Sequence, residues 1–270
     1  MNGSSRSIAI KKNIIASLFL KGISILVSLQ VVPLTINYIN PTRYGIWLTL
    51  SSIVAWLSYF DLGFAHGFRN RFAEAVAKGD MQLAREYVST TYVVLSLLFS
   101  SVFLIAIVVN HFVDWSAILN VDAAYSSELN IVFGILAFFF CLNIVASIFT
   151  TMLTANQKPA LASLIQTLGQ VFGFICIYIL TKTVPGNLDV LAFAFSGVPC
   201  FLLIIISIGM FLSGRYRHLS PSFHFVHFSL TKKIVGLGGQ FFIIMISMLF
   251  VFQLINIVIS RVAGPMAVTQ

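Results

Sequence analysis

Residues 13–39, NIIASLFLKGISILVSLQVVPLTINYI, hold a single charged side chain, Lys21, in 27 positions. A helix rises 1.5 Å per residue, so about twenty apolar residues cross a hydrocarbon core about 30 Å thick. Six more apolar runs follow, at 44–64, 88–109, 129–153, 160–181, 190–213 and 237–259. In lipid the backbone must satisfy its own hydrogen bonds, which continuous apolar runs do as helices. The alternating ten-residue segments of an outer-membrane barrel are missing. The whole composition agrees: 59% of residues are hydrophobic, 9% are charged, and mean hydropathy is +0.98. About a quarter of the residues of an ordinary soluble domain are charged. The fold class is therefore all-α, a polytopic integral membrane helical bundle.

The net charge of +8 is distributed in a way that excludes nucleic acid as its reason. Arg6, Lys11 and Lys12 precede the first span. Arg69, Arg71, Lys78 and Arg85 fall in the second loop, Lys158 in the fourth, and Arg215, Arg217, Lys232 and Lys233 in the sixth. These twelve share one side. Only Arg43, Lys182 and Arg261 fall on the other, where the loop at 110–128 carries Asp114, Asp122 and Glu128. The positive-inside rule places the N-terminus in the cytoplasm. The first run is too long for a signal-peptide core and lacks a small-residue cleavage site.

No loop exceeds about 23 residues, so a separate soluble catalytic or receptor domain has no room. The segment 65–87 is amphipathic: Phe68, Phe72 and Val76 recur among Arg69, Arg71 and Glu74, before a Gly79-Asp80 turn. That pattern predicts a short helix on the cytoplasmic interface. Cys141, Cys176 and Cys200 lie inside apolar runs and read as small core residues. Gly169 and Gly173 read as a close-packing pair, and Pro33 and Pro199 as kink sites.

Lys21 requires an explanation, because an ionised group about 12 Å into a span costs about 2.5 kcal/mol or more. At 100° per residue, Asn13, Ser17, Lys21, Ser24, Ser28 and Thr35 fall within about 80° of arc. Lys21 either snorkels to the headgroups or faces a water-filled cavity, and the continuation of the stripe to Thr35 favours the cavity. Weaker stripes carry Asn143, Ser147, Thr150 and Thr154 on the fourth span, and Ser163, Gln166 and Gln170 on the fifth. Gln253, Asn256 and Ser260 do so on the seventh. Interhelical hydrogen bonding explains each alone; together they suggest a shared hydrophilic interior. Asp61, followed by Arg69 and Arg71, suggests a salt-bridged cytoplasmic corner. His218, His224 and His227 read as surface residues. No paired carboxylates, metal-ligand spacing, nucleophile triad or phosphate-cradling glycine loop is present, so neither an enzyme nor a cofactor or metal site is expected.

Residues 44–75, YGIWLTLSSIVAWLSYFDLGFAHGFRNRFAEA, resemble the bacterial O-antigen and polysaccharide flippases of the multidrug/oligosaccharidyl-lipid/polysaccharide exporter superfamily. The likeness rests on Tyr44-Gly45, Asp61-Leu62-Gly63 and Phe68-Arg69-Asn70-Arg71. It extends more loosely over all seven spans, including Asn156-Gln157-Lys158. The resemblance implies two six-helix lobes around a cavity, and flipping of an undecaprenyl-pyrophosphate-linked oligosaccharide across the bacterial inner membrane by alternating access. Its implied partners are the bilayer, the lipid-linked oligosaccharide, a polysaccharide polymerase and a chain-length regulator. Residues 1–213 would be the N-terminal lobe, 214–236 a cytoplasmic linker, and 237–270 the first helix of a second lobe. Seven spans then read as six plus one, and the chain as part of a longer or truncated transporter. Expected substrate contacts are Lys21, Ser17, Ser24, Ser28, Asn143, Ser147, Gln166, Gln170, Gln253 and Asn256, with Asp61, Arg69 and Arg71 at the cytoplasmic mouth. Three alternatives remain: a drug or organic-cation exporter, against which the absence of carboxylates inside the spans counts; a polytopic polymerase, which would want a large charged external loop; and an inactive fragment.

Overall fold

The computed structural model describes residues 3–39, 41–55, 63–119 and 121–236, with 239, 243 and 247. The long first apolar run forms α1 (Gly3–Ile39), followed by α2 (Pro41–Ala55) and the short amphipathic α3 (Phe64–Ala77). After these come α4 (Met81–Phe112), α5 (Trp115–Leu119), α6 (Ser126–Ala146), α7 (Ile148–Ala155), α8 (Pro159–Thr183), α9 (Leu188–Ala192) and α10 (Val198–Leu212). Among the described residues there is no strand. Five stretches are long and apolar enough to cross a membrane: Lys12–Ile39, Met81–Phe112, Ala123–Ala155, Pro159–Thr183 and Leu188–Leu212. The protein is a multi-pass helical membrane protein. The expected second span is helical through Ala55, and residues 56–62 lie outside the described residues, as does nearly all of 237–259.

Local chemistry sets the helix boundaries. Gly79 adopts φ +77, and the Asp80 carboxylate accepts the Leu83 N–H at 2.9 Å, so α4 starts at Met81, a full turn and more before the expected 88. Pro159 occupies the first turn of α8, where its missing N–H costs nothing. Pro199 follows a π-helical turn, Phe193–Gly197, that joins α9 to α10 in one span. A proline cannot donate to the preceding turn, and the wider turn falls where that bond is lost. Pro33 lies within α1 without ending it.

The helices stack in a parallel seam and two core regions. Thr167 donates to the Leu20 carbonyl, Asn13 to that of Gln157, and Tyr38 to that of Pro185. The near-constant sequence separation, 144 to 147, means that α1 and α8 run side by side in the same direction. Phe68, Phe72, Phe99, Phe149, Leu153 and Tyr216 anchor one core region; Trp47, Leu50, Trp115, Leu129, Ile177 and Leu188 anchor the other. Phe103 packs against both.

The amphipathic helix departs from expectation. Phe68 and Phe72 are fully buried, because α3 turns its apolar face onto α4 and α7 rather than onto lipid. Packing side chains of protein satisfy that face, so α3 is part of the bundle. Residues 214–236 also pack onto it: Tyr216, Leu219, Leu230 and Ile234 are buried in the same core region. Their backbone is tied to α4, with Arg85 donating to the Ser220 carbonyl, Ser222 N–H to Ser89 Oγ, and His227 N–H to Thr90 Oγ1.

Gly169 and Gly173 do serve close packing. A Cβ on Gly169 would stand 3.2 Å from Pro199 Cα, and one on Gly173 would stand 3.5 Å from Pro199 Cγ. The glycines let the proline-bearing π turn lie against α8. Gly169→Val is expected to destabilise the protein by about 1–3 kcal/mol through overpacking, read as a lowered thermal midpoint in detergent. An unchanged midpoint would refute the close approach.

Candidate functional site

The polar stripe of α1 divides into two parts with different environments. Asn13 and Ser24 lie on the flank that packs against α8, where Ser24 donates to the Gln170 side chain and Asn13 reaches the Gln157 carbonyl. Thr35 is buried and donates to the Val31 carbonyl; the buried Ser17 hydroxyl has no partner among the described residues. Lys21 and Ser28, about 20° apart around the helix, stay on the exposed margin of this seam. Ser28 also donates to the Ser24 carbonyl. The parallel alignment of α1 with α8 sets Gln166 at the level of Lys21, and both are exposed. Lys21, Ser28, Gln166 and Gln170 thus form a cationic and amide-bearing strip beside the seam.

Two adjoining cavities continue that strip. One, of about 290 Å³, is bounded by Ser28, Thr35, Gln170, Trp47, Phe195 and Pro199. The other, of about 230 Å³, includes Ser51, Asn143 and Ser196 and shares Trp47, Phe195 and Pro199 with the first. Trp47 and Phe195 meet edge to face at 5.2 Å and divide the two. Sequence patterns missed this aromatic pair, since each ring sits in an uninterrupted apolar run and neither interrupts a polar stripe.

The fourth-span stripe has another use. Ser147 lies at the break between α6 and α7; its hydroxyl donates to Ile144, and its carbonyl accepts from Thr150 and Thr151. Thr154 donates to Thr150. These hydroxyls satisfy backbone groups of their own helix, which is how serine and threonine act at helix bends. Asn143, one turn earlier, remains exposed and lines the cavity.

At the basic end, Arg71 is engaged, with Nη1 3.0 Å from Glu74 Oε2 and Nε directed at the Lys233 carbonyl. Lys78 pairs with the other Glu74 oxygen at 2.7 Å. The Lys78 ammonium, then Arg71, hold the Glu74 carboxyl below its ordinary range, so it is ionised at neutral pH. Arg69 is exposed. Asp61, Gln253 and Asn256 lie outside the described residues. His218, His224 and His227 are exposed, and no cluster of metal-ligating side chains occurs among the described residues.

The opposite end has fewer cations. Arg43 pairs with Glu128 at 3.5 Å and donates to the Gly186 carbonyl. Trp115 Nε1 donates to Asn110 Oδ1 at 2.6 Å while stacking on Phe133. The Asp114 carboxyl is held below its ordinary range by the Ser116 hydroxyl and nearby backbone N–H groups. The basic and acidic loops thus gather at opposite ends of one bundle, as the loop charges predict.

The amino-acid sequence is matched over residues 10–269 by the family model described as polysaccharide biosynthesis protein. The chain belongs to that family. The family comprises polysaccharide and O-antigen flippases of the multidrug/oligosaccharidyl-lipid/polysaccharide exporter superfamily, in agreement with the resemblance carried by residues 44–75. Membership assigns the protein to polysaccharide biosynthesis-related transport. No curated protein and no solved structure matches the chain.

Proposed function

We propose that residues 1–213 form one lobe of a transporter that flips an undecaprenyl-pyrophosphate-linked oligosaccharide across the bacterial inner membrane by alternating access. The basic end then faces the cytoplasm, and residues 214–236 lead from this lobe towards a second. A polysaccharide polymerase and a chain-length regulator would receive the product on the far side. The observation that carries the reading is Lys21: a cation deep in an apolar helix, exposed beside Ser28, Gln166 and Gln170 rather than consumed by packing on α8. A pyrophosphate needs such a charge, and the amides and hydroxyls of the strip suit sugar hydroxyls. Arg69 at the mouth is exposed and would draw the headgroup inward along the surface potential; Arg71, held by Glu74, contributes field rather than a direct contact.

The test is translocation itself. Full-length protein is reconstituted in vesicles whose outer leaflet alone is loaded with a fluorescent lipid-linked oligosaccharide. Protection of the label from an impermeant glycosidase is expected to develop many-fold faster than in protein-free vesicles. Equal rates would overturn the assignment.

A further inference from the structure

A second opening lies along the α1–α8 seam, at the acidic end of the bundle. This groove, of about 420 Å³, is walled by Asn37 and Tyr38 from α1, Tyr178 and Lys182 from α8, and Pro185 beyond it. Asn37 lies about 160° around α1 from Thr35, and Lys182 about 120° around α8 from Gln170. The groove shares no lining residue with the candidate transport cavities.

A cation lies in this groove, and an apolar face of α8 runs on beyond its lining. Lys182 Nζ stands 5.9 Å from the Tyr178 ring centroid, and among the described residues no carboxylate pairs with it. Towards the middle of the span, on the same exposed face of α8, come Ile179, Ile175 and Phe172, 53%, 44% and 50% exposed. A cation framed by tyrosine at the end of an apolar helical face is the arrangement of the membrane–water interface. A lysine there acts as a point charge for phosphate, and its ring neighbour steadies the ammonium. Asn37 adds amide groups at the polar end, and the Tyr38 hydroxyl is already committed to the Pro185 carbonyl.

We propose that this groove and the adjoining exposed face of α8 bind an anionic glycerophospholipid, with the phosphate on Lys182 and an acyl chain along Ile179, Ile175 and Phe172. The site is independent of the transport reading, since it shares no residue with the strip or its two cavities.

Native mass spectrometry of the full chain in detergent, titrated with phosphatidylglycerol, tests it. Lys182→Gln is expected to weaken phosphatidylglycerol retention by about tenfold, the lower end for losing one charge-assisted contact. Lys182→Arg should retain it, and Tyr178→Leu should weaken it less. Lys78→Gln, at the other end of the bundle, should leave it unchanged. Unaltered retention by Lys182→Gln, or an equal loss with Lys78→Gln, overturns the proposal. So does binding of inorganic phosphate as strong as that of the lipid, which would make the site a free-anion site.

Discussion

Lys21→Ala in the full-length protein is expected to remove most surface polysaccharide at matched protein level, while Lys21→Arg preserves it. An ammonium placed about 12 Å into a span is costly by about 2.5 kcal/mol or more, and its presence there argues for a partner that offsets the cost. A charge-assisted contact to phosphate is worth about 1.5–3 kcal/mol, or about 10- to 100-fold in affinity. Lys21→Met separates this from simple snorkelling, since methionine keeps most of the apolar stem without the charge. If snorkelling were the whole role, Lys21→Met would insert at least as well and transport normally. Surface polysaccharide from the methionine variant equal to that of the native protein would therefore sink the role of Lys21. It would leave the vesicle assay free to judge transport itself.

The fold was legible where one-dimensional patterns carry the physics. Apolar run length reports membrane crossing directly, which is why the reading of 13–39 meets a helix through Ile39. The loop charges likewise meet a bundle with basic and acidic ends. The stripe on α1 was legible as a periodicity, but not its division. A helical wheel places Ser24 beside Lys21 without saying that α8 takes Ser24 through Gln170 and leaves Lys21 exposed. The α3 segment misled for the same reason. An amphipathic face reports that something apolar covers it and cannot distinguish lipid from α4 and α7. Trp47 and Phe195 were illegible because they come from different helices and meet only in three dimensions. The packing of 214–236 was equally hidden: Tyr216 and Leu219, and Leu230 and Ile234, have helical spacing, but each pair is too short a pattern to say what covers it.

That packing makes the basic end of the bundle a mechanical unit rather than a set of loops. Arg85 illustrates it: the guanidinium donates to the Ser220 carbonyl at 2.9 Å and lies 4.2 Å from the Phe225 ring centroid. The side chains of Ser89 and Thr90, both buried, supply hydrogen bonds to the backbone at Ser222 and His227. Lys158 closes the remaining side through the Tyr216 hydroxyl at 3.2 Å. A chain satisfied this way is held by buried polar groups whose loss is expensive. Residues 229–236 are therefore packed and hydrogen-bonded as part of the same unit as α3.

Gly67 is the narrowest point of that unit, and its substitution is expected to have a large structural effect. A Cβ there would fall well inside contact distance of the Ile234 carbonyl oxygen and carbon. Backbone atoms cannot rotate away as a side-chain end can, so the helix at 229–236 must move off α3 or α3 must shift. Gly67→Ala is expected to cost about 3 kcal/mol, the upper part of the overpacking range. It should also raise hydrogen exchange selectively at residues 229–236. Gly22 and Gly45 provide the contrast, since a Cβ on either meets nothing within 4 Å. Alanine at those helical positions should stabilise by about 0.5–1 kcal/mol, as glycine is the poorer helix former. Gly67→Ala behaving like Gly45→Ala, in both thermal midpoint and exchange, would show that α3 does not hold the segment. The expected opposite signs separate a specific close approach from the generic effect of removing a glycine. Arg71→Gln, which removes only the bond to the Lys233 carbonyl and the pair with Glu74, should fall between them.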